Sequence, residues 1–177
     1  MNELGFRSLL LTEEQKNYYS FTFVRNPFDR LVSAYVNKYK QDIDYYEKNF
    51  YNNYLFGYLK NDNGFEDYVE RVCNIPEFLL EKHIYPQYKY VYKDGESLVD
   101  FIGKYENLEN DFKAIQEEYH LYPLPHINQS FKKDYRDYYT LKTAKKVYKK
   151  YKKDIELFGY EEAYQDLIEY IKKKSSN

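Results

Sequence analysis

Phe21-Thr22-Phe23-Val24-Arg25-Asn26-Pro27-Phe28-Asp29-Arg30-Leu31-Val32-Ser33-Ala34-Tyr35 reads as a strand that feeds directly into a helix. Tyr19 to Val24 is a short aromatic and β-branched run, the composition of a half-buried strand. Asn26 then offers a side-chain oxygen to the first unpaired helix amides, and Pro27 has the fixed φ and missing N–H that suit a first helical position. The spacing predicts a helix starting at Pro27. On that helix Asn26, Arg30, Ser33 and Asn37 share one polar stripe, while Phe28, Leu31 and Tyr35 turn towards a core.

Arg25 stands at the carboxyl end of the strand, where ligands bind in open α/β sheets. The following helix directs its unpaired amides and the positive end of its dipole to the same place, so an anion belongs there. For an isolated Arg the plainer alternative is a pair with Asp29 or a cap on a neighbouring helix. The whole run from Val24 to Tyr35, however, closely resembles the 3′-phosphate-binding motif of sulfotransferases that use 3′-phosphoadenosine 5′-phosphosulfate (PAPS). The resemblance is to the carbohydrate sulfotransferase branch, sulfotransferase family 2. It implies that Arg25 and Ser33 bind the 3′-phosphate, with Asn26 and Arg30 as further nucleotide-binding candidates.

The length of 177 residues fits one domain with a real core. Acids and bases nearly balance at 29 against 27, which argues against a nucleic-acid partner. The 25 Tyr and 12 Phe, with no Trp, make the chain unusually aromatic. Cys73 is the only cysteine, so no intrachain disulfide forms. Met1-Asn2-Glu3-Leu4 lacks the pattern of a signal peptide, and no apolar run approaches the roughly 18 residues of a membrane span. A cytoplasmic, bacterial relative of the family is the expectation. His83, His120 and His126 have no metal-ligand spacing with Cys73 or with clustered carboxylates, so no metal is expected.

Upstream, Thr12-Glu13-Glu14-Gln15 has the form of a capping box, predicting a short helix from Glu13 to about Asn17. The residues before it are too few for a further strand, loop and helix. None of the six glycines opens a Gly-x-x-x-x-Gly-Lys or Lys-x-Gly-Thr loop. Sulfotransferases of the resembling kind carry such a loop for the 5′-phosphosulfate. The expectation is a chain whose amino-terminal strand and loop are missing by truncation.

Downstream, the Tyr- and Asn-rich stretch Asp42 to Lys60 reads as an insertion on the acceptor side. In Gly64 to Val72 the apolar positions 65, 68, 69 and 72 fit one helical face. His83-Ile84-Tyr85-Pro86-Gln87 is similar to a His-x-x-Pro-Gln segment of the family. A neutral His83 suits the base that takes a proton from an attacking hydroxyl; the alternative is a hydrogen-bonded structural histidine. Leu98 to Phe112 resembles the family's buried strand running into a helix, with Val99, Phe101 and Ile102 in the strand. Asn107 is placed to start a helix reaching Tyr119. Glu106 either orients Arg25 or Arg30 or faces solvent at the helix start.

Leu124-Pro125-His126-Ile127-Asn128 is similar to another family segment. From Lys132 to Lys153 there are ten Lys or Arg against two Asp. Lys145 to Lys153 read as the solvated face of a helix whose apolar stripe is Leu141, Ala144, Tyr148, Tyr151 and Ile155. Lys132, Lys133 and Tyr135, in the loop before it, are the better nucleotide-binding candidates. Gly159 reads as a helix stop, and residues 161–177 as a final helix and tail.

The resemblance covers about residues 13–160. It implies a single α/β sulfotransferase-like domain with a three-layer, P-loop-nucleotide-kinase-like fold and a central, mainly parallel sheet. The activity implied is transfer of a sulfuryl group from PAPS to a hydroxyl of a carbohydrate acceptor, with adenosine 3′,5′-bisphosphate as product. The alternative is a truncated or inactive protein that keeps the fold and binds the nucleotide.

Overall fold

The computed structural model describes residues 17–36, 57–59, 63–124 and 133–176. In chain order the elements are β1 (Phe21–Val24), α1 (Pro27–Ala34), α2 (Gly64–Asn74), α3 (Tyr88–Val91), β2 (Tyr92–Lys93), β3 (Glu96–Ser97), β4 (Phe101–Lys104), α4 (Leu108–Tyr119), α5 (Leu141–Lys150), α6 (Lys152–Phe158) and α7 (Glu161–Ser175). The class is mixed α/β, a small parallel sheet with many helices. The chain packs as two compact units, Met1–Arg25 with Pro86–Pro125, and Asn26–Tyr85 with His126–Asn177. The expected capping box at 12–15, the stretch 42–56, Asn37, His126 and Lys132 lie outside the described residues.

In the first unit β1 pairs in parallel with β4, in a register running from Phe21↔Phe101 to Val24↔Lys104. Just before the ladder, the Ser20 amide and hydroxyl both donate to Asp100 Oδ2, at 2.7 and 2.8 Å. These bonds hold the Asp100 carboxyl below its usual value. The strand expected from Leu98 begins only at Phe101. Ser97 Oγ donates to the Val99 carbonyl at 2.7 Å and accepts from the Val99 amide at 3.2 Å, taking the groups a ladder would need.

Phe23, Phe101 and Phe112 cluster beside the pair, with ring centroids 6.5 Å apart from Phe23 to each of the others. Gly103, the register partner of Phe23, makes that possible. A Cβ at 103 would sit 2.3 Å from Phe23 Cε1. β2 and β3 form a hairpin closed by Asp94-Gly95, both at positive φ (52° and 89°), the requirement of a two-residue type I′ turn. α4 starts after Asn107 as expected, but by other chemistry. Asn107 Nδ2 donates to Asp111 Oδ1 at 2.5 Å, while Asp111 Oδ2 accepts from the Lys104 amide at 2.7 Å.

The second unit is helical. α1 begins as the sequence predicts: Asn26 Oδ1 accepts from the Phe28 amide at 3.0 Å and Pro27 takes the first position. Phe28, Leu31 and Tyr35 are buried. The Phe28 ring meets Tyr139 edge-on and stacks on Tyr164, each at 5.7 Å, and its carbonyl accepts from Tyr139 Oη at 2.9 Å. α2 buries Phe65, Tyr68, Val69 and Val72, the stripe its spacing gives.

The basic segment keeps part of its expected stripe, with Ala144, Tyr151 and Ile155 buried, and departs from it elsewhere. It is split at Tyr151 into α5 and α6, and the residues buried on α5 are Thr143, Ala144 and Val147, with Leu141 exposed. Thr140 caps α5 through a reciprocal capping box with Thr143, so Thr143 is turned inward. Not all the lysines are solvated. Lys142 pairs with Glu66 at 3.1 Å and Glu70 at 3.3 Å, Lys146 pairs with Glu70, and Lys150 donates to the Ile75 carbonyl at 2.7 Å. Lys145, Lys149, Lys152 and Lys153 are exposed, as expected. α6 stops at Gly159, whose φ of 66° is the left-handed cap a glycine supplies without strain.

Candidate functional site

In the first unit Arg25 directly follows β1 and is gripped twice. Its amide donates to Gln87 Oε1 at 2.9 Å, and Gln87 Nε2 donates to its carbonyl at 2.8 Å. One buried carboxamide therefore pairs with both main-chain groups of Arg25, as a neighbouring strand would. The guanidinium lies over the Tyr105 ring, 4.4 Å from its centroid. Stacking uses the flat face of the group and leaves its N–H groups directed around the rim, the edge that recognises phosphate.

In the second unit Ser33 is half-buried on α1. Asn26 is nearly fully buried, and its amide nitrogen donates to Tyr135 Oη at 3.2 Å. Burial pushes the Tyr135 phenol above its ordinary value, so at neutral pH it keeps a proton to donate. Lys133 is exposed, its ammonium 5.1 Å from the Tyr138 ring. Arg136, which is close in sequence, is already engaged with the Asp134 carboxylate and the Tyr170 ring. Arg30 donates from Nη1 to the Tyr85 carbonyl and from Nη2 to the Lys82 carbonyl, both at 2.8 Å. That makes Arg30 a clamp on the 82–85 turn.

His83 lies in this turn. Its Nδ1 is 2.7 Å from Glu81 Oε2, and the same oxygen accepts from the His83 amide at 2.8 Å. The Glu81 side chain is only 6% exposed, and its Oε1 has no hydrogen-bond partner among the described residues. A carboxylate oxygen accepts, so Nδ1 donates, and in the neutral ring Nε2 is then the nitrogen with the lone pair. Cys73 does not compete as a nucleophile, because burial pushes its thiol up to about 11.

The residues singled out are cations, hydroxyls and amides, the donor set a nucleotide with phosphate and sulfate groups requires. Three participants were not read from the sequence: Gln87, Tyr105 and Glu81. Gln87 closes the His-x-x-Pro-Gln segment and Glu81 stands two residues before it, the only signals they leave. Among the described residues, no group of three or more His, Cys, Asp or Glu is placed to hold a metal ion, and no helix is long and apolar enough to cross a membrane.

Residues 5–161 match the Sulfotransferase family. Carbohydrate sulfotransferase 14 of Danio rerio is 31% identical, the match covering 89% of this chain and 49% of that protein. Carbohydrate sulfotransferase 10 of Xenopus laevis is 28% identical over 85% of this chain and 49% of its own length. Carbohydrate sulfotransferase 12 of Mus musculus is 26% identical over 88% and 43%. The chain thus spans about half the length of these relatives. They are vertebrate proteins and lend no support to a bacterial origin or a cytoplasmic location. No solved structure matches the chain significantly. With the match running through the strand, the helix start and both packed units, this chain belongs to the sulfotransferase family.

Proposed function

We propose that this chain is a PAPS-dependent sulfotransferase domain that sulfates a hydroxyl group of a carbohydrate. The observation that carries the reading is the segment from Val24 to Ser33: a strand end, Arg25, a capped helix start at Asn26-Pro27, and a hydroxyl on the helix. The names of the relatives support a sugar acceptor. In this reading both packed units belong to one domain, whose fold is of the three-layer, P-loop-kinase-like kind with a mainly parallel sheet.

Arg25 and Ser33 hold the 3′-phosphate. Tyr135, Lys133 and Lys132 add donors from the loop before α5, and Asn26 keeps Tyr135 and the start of α1 in place. Bound PAPS supplies the sulfuryl group. His83 takes the proton of the attacking hydroxyl at Nε2 while Glu81 holds the opposite ring nitrogen. An acceptor O–S bond forms as the bond from sulfur to the phosphate oxygen breaks, and adenosine 3′,5′-bisphosphate leaves. Positioning and charge stabilisation carry most of such a transfer.

Calorimetric titration with adenosine 3′,5′-bisphosphate, and with adenosine 5′-monophosphate as the control, tests the donor assignment. Tighter binding of the bisphosphate is expected; equal or absent binding of both nucleotides rejects it. In sulfate transfer from labelled donor to a sugar, His83→Ala should lower turnover about a hundredfold with bisphosphate affinity intact. Unaltered turnover removes His83 from the chemistry.

A further inference from the structure

We infer that Gln87 is a positioning residue for Arg25, and that Tyr105 completes the device by fixing the guanidinium. The inference rests on the reading of Arg25 as the 3′-phosphate ligand. Arg25 follows the last residue of β1, and the β1 ladder with β4 ends at the Val24↔Lys104 pair. Arg25 lies past the last pair of that ladder, so the direction of its amide and carbonyl depends on the groups that bond to them. Gln87 takes both, at 2.9 and 2.8 Å, from a buried position directly after Pro86.

A primary carboxamide is the one side-chain group that presents a donor and an acceptor side by side at the spacing of a peptide edge. Gln87 thereby extends the sheet by one pairing without adding a strand. The carboxylate of a glutamate would set an oxygen against the Arg25 carbonyl. Tyr105 acts on the other end of the residue. Its ring lies 4.4 Å from the guanidinium, and the turn Tyr105–Asn107 that carries it follows β4 directly. Backbone and head group are both set before any nucleotide arrives, so less conformational freedom is lost on binding.

The assignment gives a function to the final residue of the His-x-x-Pro-Gln segment. Discrimination for the 3′-phosphate depends on Gln87 although Gln87 does not touch the nucleotide.

The test is calorimetric titration of the full chain, Gln87→Met, Tyr105→Leu and Tyr105→Phe, each with adenosine 3′,5′-bisphosphate and adenosine 5′-monophosphate. Methionine keeps the length and volume of Gln87 and removes both bonds. Gln87→Met and Tyr105→Leu should each lower the affinity ratio of bisphosphate to monophosphate about tenfold, the cost of reordering one long side chain. Tyr105→Phe, which keeps the stacking face, should stay within about twofold of the parent chain. A general structural role would weaken both nucleotides alike and leave the ratio unmoved. A folded Gln87→Met with the parent ratio overturns the proposal. If Gln87→Met does not fold, the two Tyr105 variants decide, and a parent-like ratio in Tyr105→Leu overturns it. Failure of the parent chain itself to prefer the bisphosphate is a separate result, which removes the Arg25 reading and this inference with it.

Discussion

Arg25→Ala loses its preference for adenosine 3′,5′-bisphosphate over adenosine 5′-monophosphate. A guanidinium and a phosphate form charge-assisted hydrogen bonds worth about 1.5–3 kcal/mol each, and the planar fork makes two of them together. Arg25 is half-buried, so solvent screens part of this, and the lower end of the range applies. The bisphosphate should therefore bind about a hundredfold more weakly, with the monophosphate little changed. Arg25→Lys keeps the charge and loses the fork and the flat face that lies on Tyr105, so it should recover only part of the affinity. Bisphosphate affinity equal to the parent's in Arg25→Ala would show that the 3′-phosphate is held elsewhere.

Phe28→Ala unfolds a large share of the molecules at temperatures where the parent is stable. The side chain is fully buried between Tyr139 and Tyr164, and α1 depends on it for its seat in the helical unit. Truncating a buried phenylalanine costs about 3–5 kcal/mol through lost burial and the cavity left behind. A natural domain has only about 5–15 kcal/mol in total. The Tyr139 hydroxyl keeps its carbonyl partner at residue 28, so the loss is one of packing and not of hydrogen bonding. Denaturant unfolding followed by circular dichroism should show the midpoint displaced by that amount with little change of slope. A shift worth less than about 1 kcal/mol would mean that the two tyrosines close over the gap.

Much of this fold was legible because its signals are local. Asn26 and Pro27 mark a helix start through their own chemistry, and the α1 and α2 stripes are periodic, so Phe28, Leu31, Phe65, Tyr68, Val69 and Val72 could be placed in a core from spacing alone. Where two local rules compete, spacing misleads. Thr143 looks like a surface residue until it is read as half of a capping box, and the phase of α5 then buries Val147. Ser97 delays the start of the expected strand by bonding to Val99, a contact that hydrophobicity does not register.

The site divides in the same way. Arg25, Ser33 and His83 stand in motifs, so residue type and spacing sufficed to single them out. Gln87, Tyr105 and Glu81 act through partners as many as 80 positions apart in sequence, in the case of Arg25 and Tyr105, and none has a period of its own. Arg30 shares the Arg25 motif yet donates to the carbonyls of Tyr85 and Lys82, which only the folded chain reveals.

Phe23 and Gly103 carry a consequence for how this sheet can change over time. The benzyl ring occupies the volume that a side chain at 103 would need, leaving 2.3 Å where a Cβ would stand. The two positions are coupled: with the Phe23 ring where it stands, that face of the strand pair has no room for a side chain at 103. Alanine at 103 requires the Phe23 ring to move aside or a smaller residue to stand at 23, and a change at one position alone leaves that face either crowded or hollow. Drift in this part of the chain is therefore paired, and a lone substitution at either position is a step downhill in stability before it is a step anywhere else.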